Sequence, residues 1–395
     1  MRLDEIVIVA KGCGISYSFN ATNTKCLYIA KIVKSFGLKV TILSGVYFDN
    51  KPGISKVGRY DGIKYYMPSI YKKSSNRLII FIRKITHIFK VVFFLLYLRI
   101  HHKRIYYIFD DNSTILPILF LLQWLNIIQL IFNIEEWPAS HSIPIASKVY
   151  SHTFAILSLM ICKKVICVSS FLVRKAAYYK PSSCIFQLPA LTEFAVVANE
   201  KLLNRDNCDV TRFLFCGHVG YEEVIMLIVN AFNKICSFRS MDKIELVLIL
   251  HGDSVQLQKM SSYVAILKCP IIIKTALSDQ ELYVEYKNAS VLLAPLRHTL
   301  QDEARFPQKI SEYTSLSKPI ITTSFGDVKN YFKEGRGAIF MDEFSHEELI
   351  EKMSFALDHK FSLEAIGREG NIVGRKYFDY KQYIKKLGDF ILLKV

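Results

Sequence analysis

Lys309 and Glu312 stand three residues apart within RFPQKISEYTSLSKPIITT, residues 305–323, the stretch of this 395-residue chain whose residue types and spacing could do the most chemistry. That spacing puts both side chains on one face of a helix. Pro307 suits a first helical turn, Lys318-Pro319 closes the segment, and Ile320-Ile321-Thr322-Thr323 reads as a buried strand. A helix start carries free backbone N–H groups and a partial positive charge. Lys309 and Arg305 would add two full charges beside it, which predicts a site for an anion such as a diphosphate. Glu312, one turn further in, could accept hydrogen bonds from both hydroxyls of a ribose. Diphosphate and ribose together predict a nucleotide.

Other chemistry-bearing residues are less distinctive. Gly12-Cys13-Gly14 follows a strand and opens a helix, but Tyr17 stands where the third glycine of G-x-G-x-x-G would fall; a tight turn and a phosphate-facing loop through Gly14 both fit. Glu135-Glu136-Trp137-Pro138 ends a core strand and could equally be a charge pair at a helix start. Asp110-Asp111 lacks the D-x-D spacing of a metal-binding pair and no His/Cys/Asp cluster has ligand spacing, so no metal is expected. His101-His102, amid basic residues, reads as solvated surface.

These residues need a scaffold, and the pattern of the chain predicts which. The first half alternates strand and helix: Glu5–Ala10 a strand, 22–35 a helix ended by Gly37, then strands over 39–43, 104–109, 127–134 and 164–168. The pattern restarts at Thr211 with strands over 212–216, 246–250, 271–273, Val291–Ala294 and Ile320–Thr323, after a polar linker around 199–209. Such alternation predicts α/β architecture with two Rossmann-like doubly wound domains facing across a cleft, their ligands at the carboxyl ends of strands. The expected domains are 1–192 and 205–375, with a C-terminal helix at 376–395 packing back on the first. Residues 114–132 carry no charge and are nominally long enough to span a bilayer, yet Pro117, Gln123, Trp124 and Asn126 divide them into a buried helix near 114–125 and a core strand.

Composition agrees. The length allows two cores. Nine cysteines without C-x-x-C spacing predict reduced thiols, and Met1-Arg2-Leu3-Asp4-Glu5 lacks the basic start and apolar run of a signal peptide, so a cytoplasmic location is expected. Lys and Arg number 51 against 35 Asp and Glu, a net charge of +16. Residues 62–109 contain no acidic residue and carry Lys64, Lys72, Lys73, Arg77, Arg83, Lys84, Lys90, Arg99, Lys103 and Arg104, interleaved with apolar and aromatic runs. Arg83, His87 and Lys90 fall on one helical stripe. The segment predicts a helix on an anionic membrane surface, the inner face of the plasma membrane; the bland alternative is a buried helix whose basic residues form its solvated face. No nucleic-acid motif accompanies the charge, so nucleic acid is not expected as a partner.

Phe306, Pro307, Lys309, Glu312, Tyr313, Lys318, Pro319, Ile320 and Ile321 resemble the donor-binding helix of the group 1 family of retaining glycosyltransferases, which have the GT-B fold, with Ser317 in place of the usual helix-ending glycine. Ser278-Asp279-Gln280-Glu281-Leu282, the run from Tyr286 to Pro295, and Gly326-Asp327-Val328 continue the resemblance, which covers about 211–357. It implies transfer of a sugar from a nucleotide diphosphate sugar, UDP- or GDP-linked, to a saccharide or polyprenyl-linked acceptor in bacterial surface polysaccharide assembly, such as capsule or O-antigen, with no cofactor or metal. It also implies a role for Glu135 against the transferred sugar. The family's basic pair after the first donor-domain strand is absent: the frame fixed by Gly217 puts His218 at the Arg position and Glu223 at the Lys position. Arg305, Arg297 and His298 are the candidates to replace the lost charge. The first glutamate of the family's spaced pair is Ala304 here, with Glu303 one residue out of register in an expected loop; some branches with F-P-x-K-x-x-E-Y also lack it. These departures leave open a degenerate, non-catalytic GT-B protein that binds a partner or glycan. A basic membrane or nucleic-acid module is the third reading.

Overall fold

Glu5–Ala10 (β1, EIVIVA) is buried along its whole length, as a strand covered on both faces must be. The computed structural model describes residues 4–10, 21–45, 47–48, 55–71, 74–110, 115–138, 145–194 and 210–393. Gly12-Cys13-Gly14, Gly14 included, and Asp111 lie outside the described residues. The chain divides into two compact units, Met1–Leu191 with Tyr380–Val395, and Thr192–Asp379.

In the first unit β1 is followed by α1 (Ala21–Ser35), β2 (Lys39–Ser44), β3 (Tyr47–Phe48), β4 (Val57–Tyr60), β5 (Ile63–Tyr66), β6 (Ile70–Tyr71), α2 (Arg77–His101), β7 (Ile105–Phe109), α3 (Leu116–Trp124), β8 (Gln129–Ile134), α4 (Ile145–Ile161), β9 (Lys164–Cys167), α5 (Ser170–Ala177) and β10 (Ile185–Gln187). The sheet order is β10-β9-β8-β7-β1-β2-β5-β4, and β3 pairs separately with β6. Every neighbour in the main sheet is parallel except β4 on β5, a hairpin whose two turn residues, Asp61 and Gly62, have φ of 51° and 69°. From β1 the chain steps through α1 to β2, and then returns through α2 to β7 on the other side of β1. Right-handed crossovers in opposite directions put α1 on one face of the sheet and α2, α3 and α4 on the other. On the α4 side, Phe132 meets Phe154 edge to face at 6.1 Å and Phe109 at 5.5 Å. The uncharged run 114–132 is a helix, α3, and a strand, β8, as its interruptions predict; among the described residues no helix is long and apolar enough to cross a membrane.

On α2, Arg83 and Lys90 are half-buried. They lie over the Tyr71 ring at 5.2 and 5.4 Å, on the flank that packs toward β6, and burial together with the Lys90 charge lowers the His87 pKa to about 4. Only Val91, Leu95 and Leu98 of this helix are fully buried.

The second unit runs β11 (Thr211–His218), α6 (Glu222–Cys236), β12 (Ile244–His251), α7 (Ser254–Ile266), β13 (Ile271–Lys274), α8 (Asp279–Asn288), β14 (Val291–Ala294), α9 (Leu300–Ala304), α10 (Gln308–Ser315), β15 (Ile320–Thr323), α11 (Val328–Tyr331), β16 (Lys333–Glu334), β17 (Gly337–Met341), α12 (His346–Asp358) and α13 (Lys360–Tyr377). All its strands are parallel, in the order β13-β12-β11-β14-β15-β17-β16. The order reverses between β11 and β14, and the carboxyl ends flanking such a reversal are where open α/β sheets bind ligands. The chain then returns to the first unit as α14 (Ile384–Leu392), whose Leu387, Phe390 and Ile391 join the core formed with α1.

Candidate functional site

β11 ends in Gly217-His218 at the reversal point, and β14 ends one residue before Pro295-Leu296-Arg297. Gly217 is needed for room: a Cβ there would come within 2.7 Å of the Phe215 ring. His218 closes the turn that follows, its Nδ1 accepting the Gly220 N–H at 2.9 Å, with its ring edge-on to His251 at 5.3 Å. Burial, then the neighbouring His218 and Lys309, lower the His251 pKa, so His251 is a neutral ring beside the site.

Around Arg297 and Arg305 the structure assembles a cluster that sequence alone did not disclose. Asp302, with a fully buried side chain, is its centre: Oδ2 accepts from the Arg297 backbone N–H at 2.8 Å and from Arg297 Nε at 3.0 Å, and Oδ1 pairs with Arg305 at 2.6 Å. A carboxylate so buried persists only because it is paired on both oxygens. The hydrogen bond from Arg297 to Asp302 raises the Arg297 pKa further. Both guanidiniums lie over the Tyr221 ring, at 5.5 and 4.6 Å, and Arg305 donates to the Tyr221 hydroxyl. Glu223, the carboxylate at the family's Lys position, pairs with Arg297 at 3.6 Å while remaining 66% exposed. Its charge is thus spent on an arginine, loosely enough to be displaced. Thr299 caps α9 by accepting the Asp302 N–H, and T-x-x-D is the one sequence signal that could have marked Asp302 as a helix-start residue.

α10 begins at Pro307, which has the extended backbone of an N-cap, and carries Lys309 and Glu312 on one face. Lys309 is not a free charge beside the helix start, as the spacing suggested. Its Nζ donates to Glu312 Oε2 at 3.0 Å and to the Tyr286 hydroxyl at 2.7 Å. Burial alone would lower this ammonium, but the Glu312 carboxylate, with Cys216 behind, raises it above the usual lysine value. Tyr286, buried and beside the Glu312 charge, is held neutral, its pKa raised well above that of a free phenol. Glu312 is therefore an acceptor held in one orientation by Lys309 at the sheet's ligand end.

Two further expectations resolve differently. Glu303 is not in a loop but on α9, its backbone against Gly326, a residue with φ +56° where the family pattern has its glycine-rich turn. His298 stacks on Phe325 at 4.7 Å with Nδ1 3.6 Å from Glu343, turned from the arginine cluster. Glu135 belongs to the first unit, where it ends β8 in an ion pair with the buried Lys25 at 2.8 Å and accepts from Asn133 at 2.6 Å. Among the described residues there is no group of three or more His, Cys, Asp or Glu able to hold a metal ion. The seven described cysteines are free thiols.

Residues 210–359 match the family model described as "Glycosyl transferases group 1". The whole chain is similar in fold to sucrose-phosphate synthase from Thermosynechococcus elongatus, at 12% identity over 98% of both chains with a TM-score of 0.75. It is also similar to Anabaena HepE in complex with UDP and glucose, at 10% identity over 97% of this chain and 98% of that one, TM-score 0.67. A third likeness is to an α,α-trehalose-phosphate synthase (UDP-forming) from Burkholderia vietnamiensis, at 10% identity over 98% and 97%, TM-score 0.68. No curated protein sequence matches the chain. The fold is that of the GT-B glycosyltransferases.

Proposed function

We propose that the chain is a group 1 glycosyltransferase, the family whose model residues 210–359 match, acting as a retaining, metal-independent transferase that moves a hexosyl group from a UDP- or GDP-sugar to a saccharide acceptor carried on a polyprenyl lipid, in assembly of a bacterial surface polysaccharide. The observation that carries this is the pairing of Lys309 with Glu312 on α10, beside the Arg297–Asp302–Arg305 cluster, at the point where the strand order reverses. Glu312 receives the ribose hydroxyls; the two guanidiniums and Lys309 meet the diphosphate. UDP in the HepE complex favours a uridine donor.

Transfer of this kind needs no nucleophile from the protein. It needs the donor held in place and the diphosphate stabilised as it gains charge on leaving, which fixed guanidinium and ammonium groups at a low-dielectric sheet end supply. Glu135, held by Lys25 at 2.8 Å, is proposed to orient the transferred sugar.

Thermal shift against UDP, GDP and ADP identifies the base; a ligand at 100 times its dissociation constant should add about 2.7 kcal/mol of stability. Turnover of the sugar nucleotide so identified should fall about 10²- to 10³-fold in Arg305→Gln or Lys309→Gln. Wild-type turnover in both variants would place the diphosphate elsewhere. Ala304, His218 and Glu223 favour a second reading, a non-catalytic binding subunit, which nucleotide binding without turnover on any donor and acceptor would establish.

A further inference from the structure

α2 turns outward the side chains that a soluble helix turns inward. Ile82, Ile85, Phe89, Phe93, Leu96 and Ile100 recur at steps of three and four, so they form one stripe along the helix, and every one is exposed, Phe89 at 59%, Phe93 at 68% and Ile100 at 63%. The buried Val91, Leu95 and Leu98 lie on the opposite side. Cations flank the stripe on both sides: Arg99 along one, and Arg83 and Lys90 along the other, the last two over the Tyr71 ring, whereas Arg77 and Lys84 fall on the opposite side in line with Val91 and Leu95.

We propose that this outer face of α2 is a membrane-docking surface, lying in the plane of an anionic bilayer with its apolar stripe among the acyl chains and its two cationic edges in the headgroup layer. A long exposed apolar stripe marks an interaction site, and the charge pattern selects the occupant. A second copy would bring cationic edges against cationic edges, and residues 62–109 hold no acidic side chain to compensate. A surface apolar in its middle and negative along both margins is what anionic lipid presents. The helix lies on the bilayer and does not cross it. The proposal rests on the reading of a lipid-carried acceptor only for its purpose: it would hold the enzyme where that acceptor is. The contacts themselves do not depend on it.

The test uses the full chain and vesicles of phosphatidylcholine with and without phosphatidylglycerol, with no donor present. The chain should sediment with the anionic vesicles and more weakly with neutral ones. Phe89→Asp with Phe93→Asp should lower vesicle binding about tenfold or more at unchanged thermal midpoint, because both side chains are already in water. Arg83→Gln with Lys90→Gln should reduce binding to anionic vesicles and flatten its salt dependence. Vesicle binding unaffected by the Phe substitutions, or absent in the wild type, would overturn the proposal. So would a wild-type dimer in sedimentation velocity that the Phe substitutions dissociate, which would assign the face to a second copy. Sugar-nucleotide turnover without vesicles should be the same in wild type and the Phe variant, so failure of the docking surface and failure of the transferase reading are separately visible.

Discussion

Glu223 shows how far single residues could be read. Its place at the family's Lys position predicts repulsion of a diphosphate unless a partner takes up the charge, and the structure supplies Arg297 at 3.6 Å. That pairing was not legible because the two residues are far apart in sequence and meet only where β11 and β14 lie side by side. The pairing of Lys309 with Glu312 was legible because both sit on one helix, where spacing alone fixes relative direction. What spacing could not reveal is that Lys309 is engaged with Tyr286, a residue of α8. Glu223→Gln should tighten binding of the cognate nucleoside diphosphate by up to about 1 kcal/mol, the scale of an exposed ion pair, by freeing Arg297. Isothermal titration checks the sign, and weaker binding would mean that the Glu223 contact holds Arg297 in its useful position. Asp302→Ala should instead destabilise the second unit by roughly 3 to 5 kcal/mol, since it leaves two guanidiniums without their buried partner.

The strands were the most readable elements, because buried parallel strands are continuous β-branched runs, and β14 and β15 have the bounds that Val291–Ala294 and Ile320–Thr323 predicted. The hairpin β4–β5 carried its Asp-Gly signal and was passed over among the basic residues around it. α2 was readable as a helix, but with apolar residues nearly all round, periodicity does not tell which side is covered. Its His87 gives a pH signature. The folded pKa of about 4 lies below the ordinary 6.5, so between these values only the unfolded chain takes up the proton. Stability from this group is complete above pH 6.5 and falls as pH drops toward 4, by at most roughly 3 kcal/mol. His87→Gln should flatten that part of the thermal-midpoint profile, and an unchanged slope would contradict the burial argument. At the end of α10, Ser317 takes φ +56° where the family pattern has glycine. Ser317→Gly should therefore stabilise the chain by about 0.5 to 1 kcal/mol, read as a rise in the denaturation midpoint.

At the scale of the whole molecule, the chain closes its first unit with its last helix, an arrangement in which local sequence carries little of the information. α14 is amphipathic, but which sheet it covers depends on the path of everything before it. Two features fix it. Leu387, Phe390 and Ile391 enter the core beside α1, and Lys164, at the start of β9, donates from Nζ to the Phe390, Ile391 and Leu393 carbonyls at 2.5, 3.0 and 2.5 Å. The cation thus satisfies the carbonyls left open at the helix end and sits where the helix dipole is negative. Three large buried side chains contribute about 5 to 9 kcal/mol in transfer terms, of the same order as the stability of an entire domain. Deleting residues 384–395 should then unfold the first unit and leave the second folded, because Thr192–Asp379 keeps its own sheet and core. Hydrogen exchange reads this directly: amides of β1, β2 and α1 should lose protection while those of β11, β12 and β14 keep it. Lys164→Met, which retains the apolar stem and removes the charge, should cause a smaller loss confined to the same elements. Protection lost equally in both units would mean that the two cores do not fold independently, and protection retained everywhere would mean that α14 is an accessory to the first unit and not part of its core.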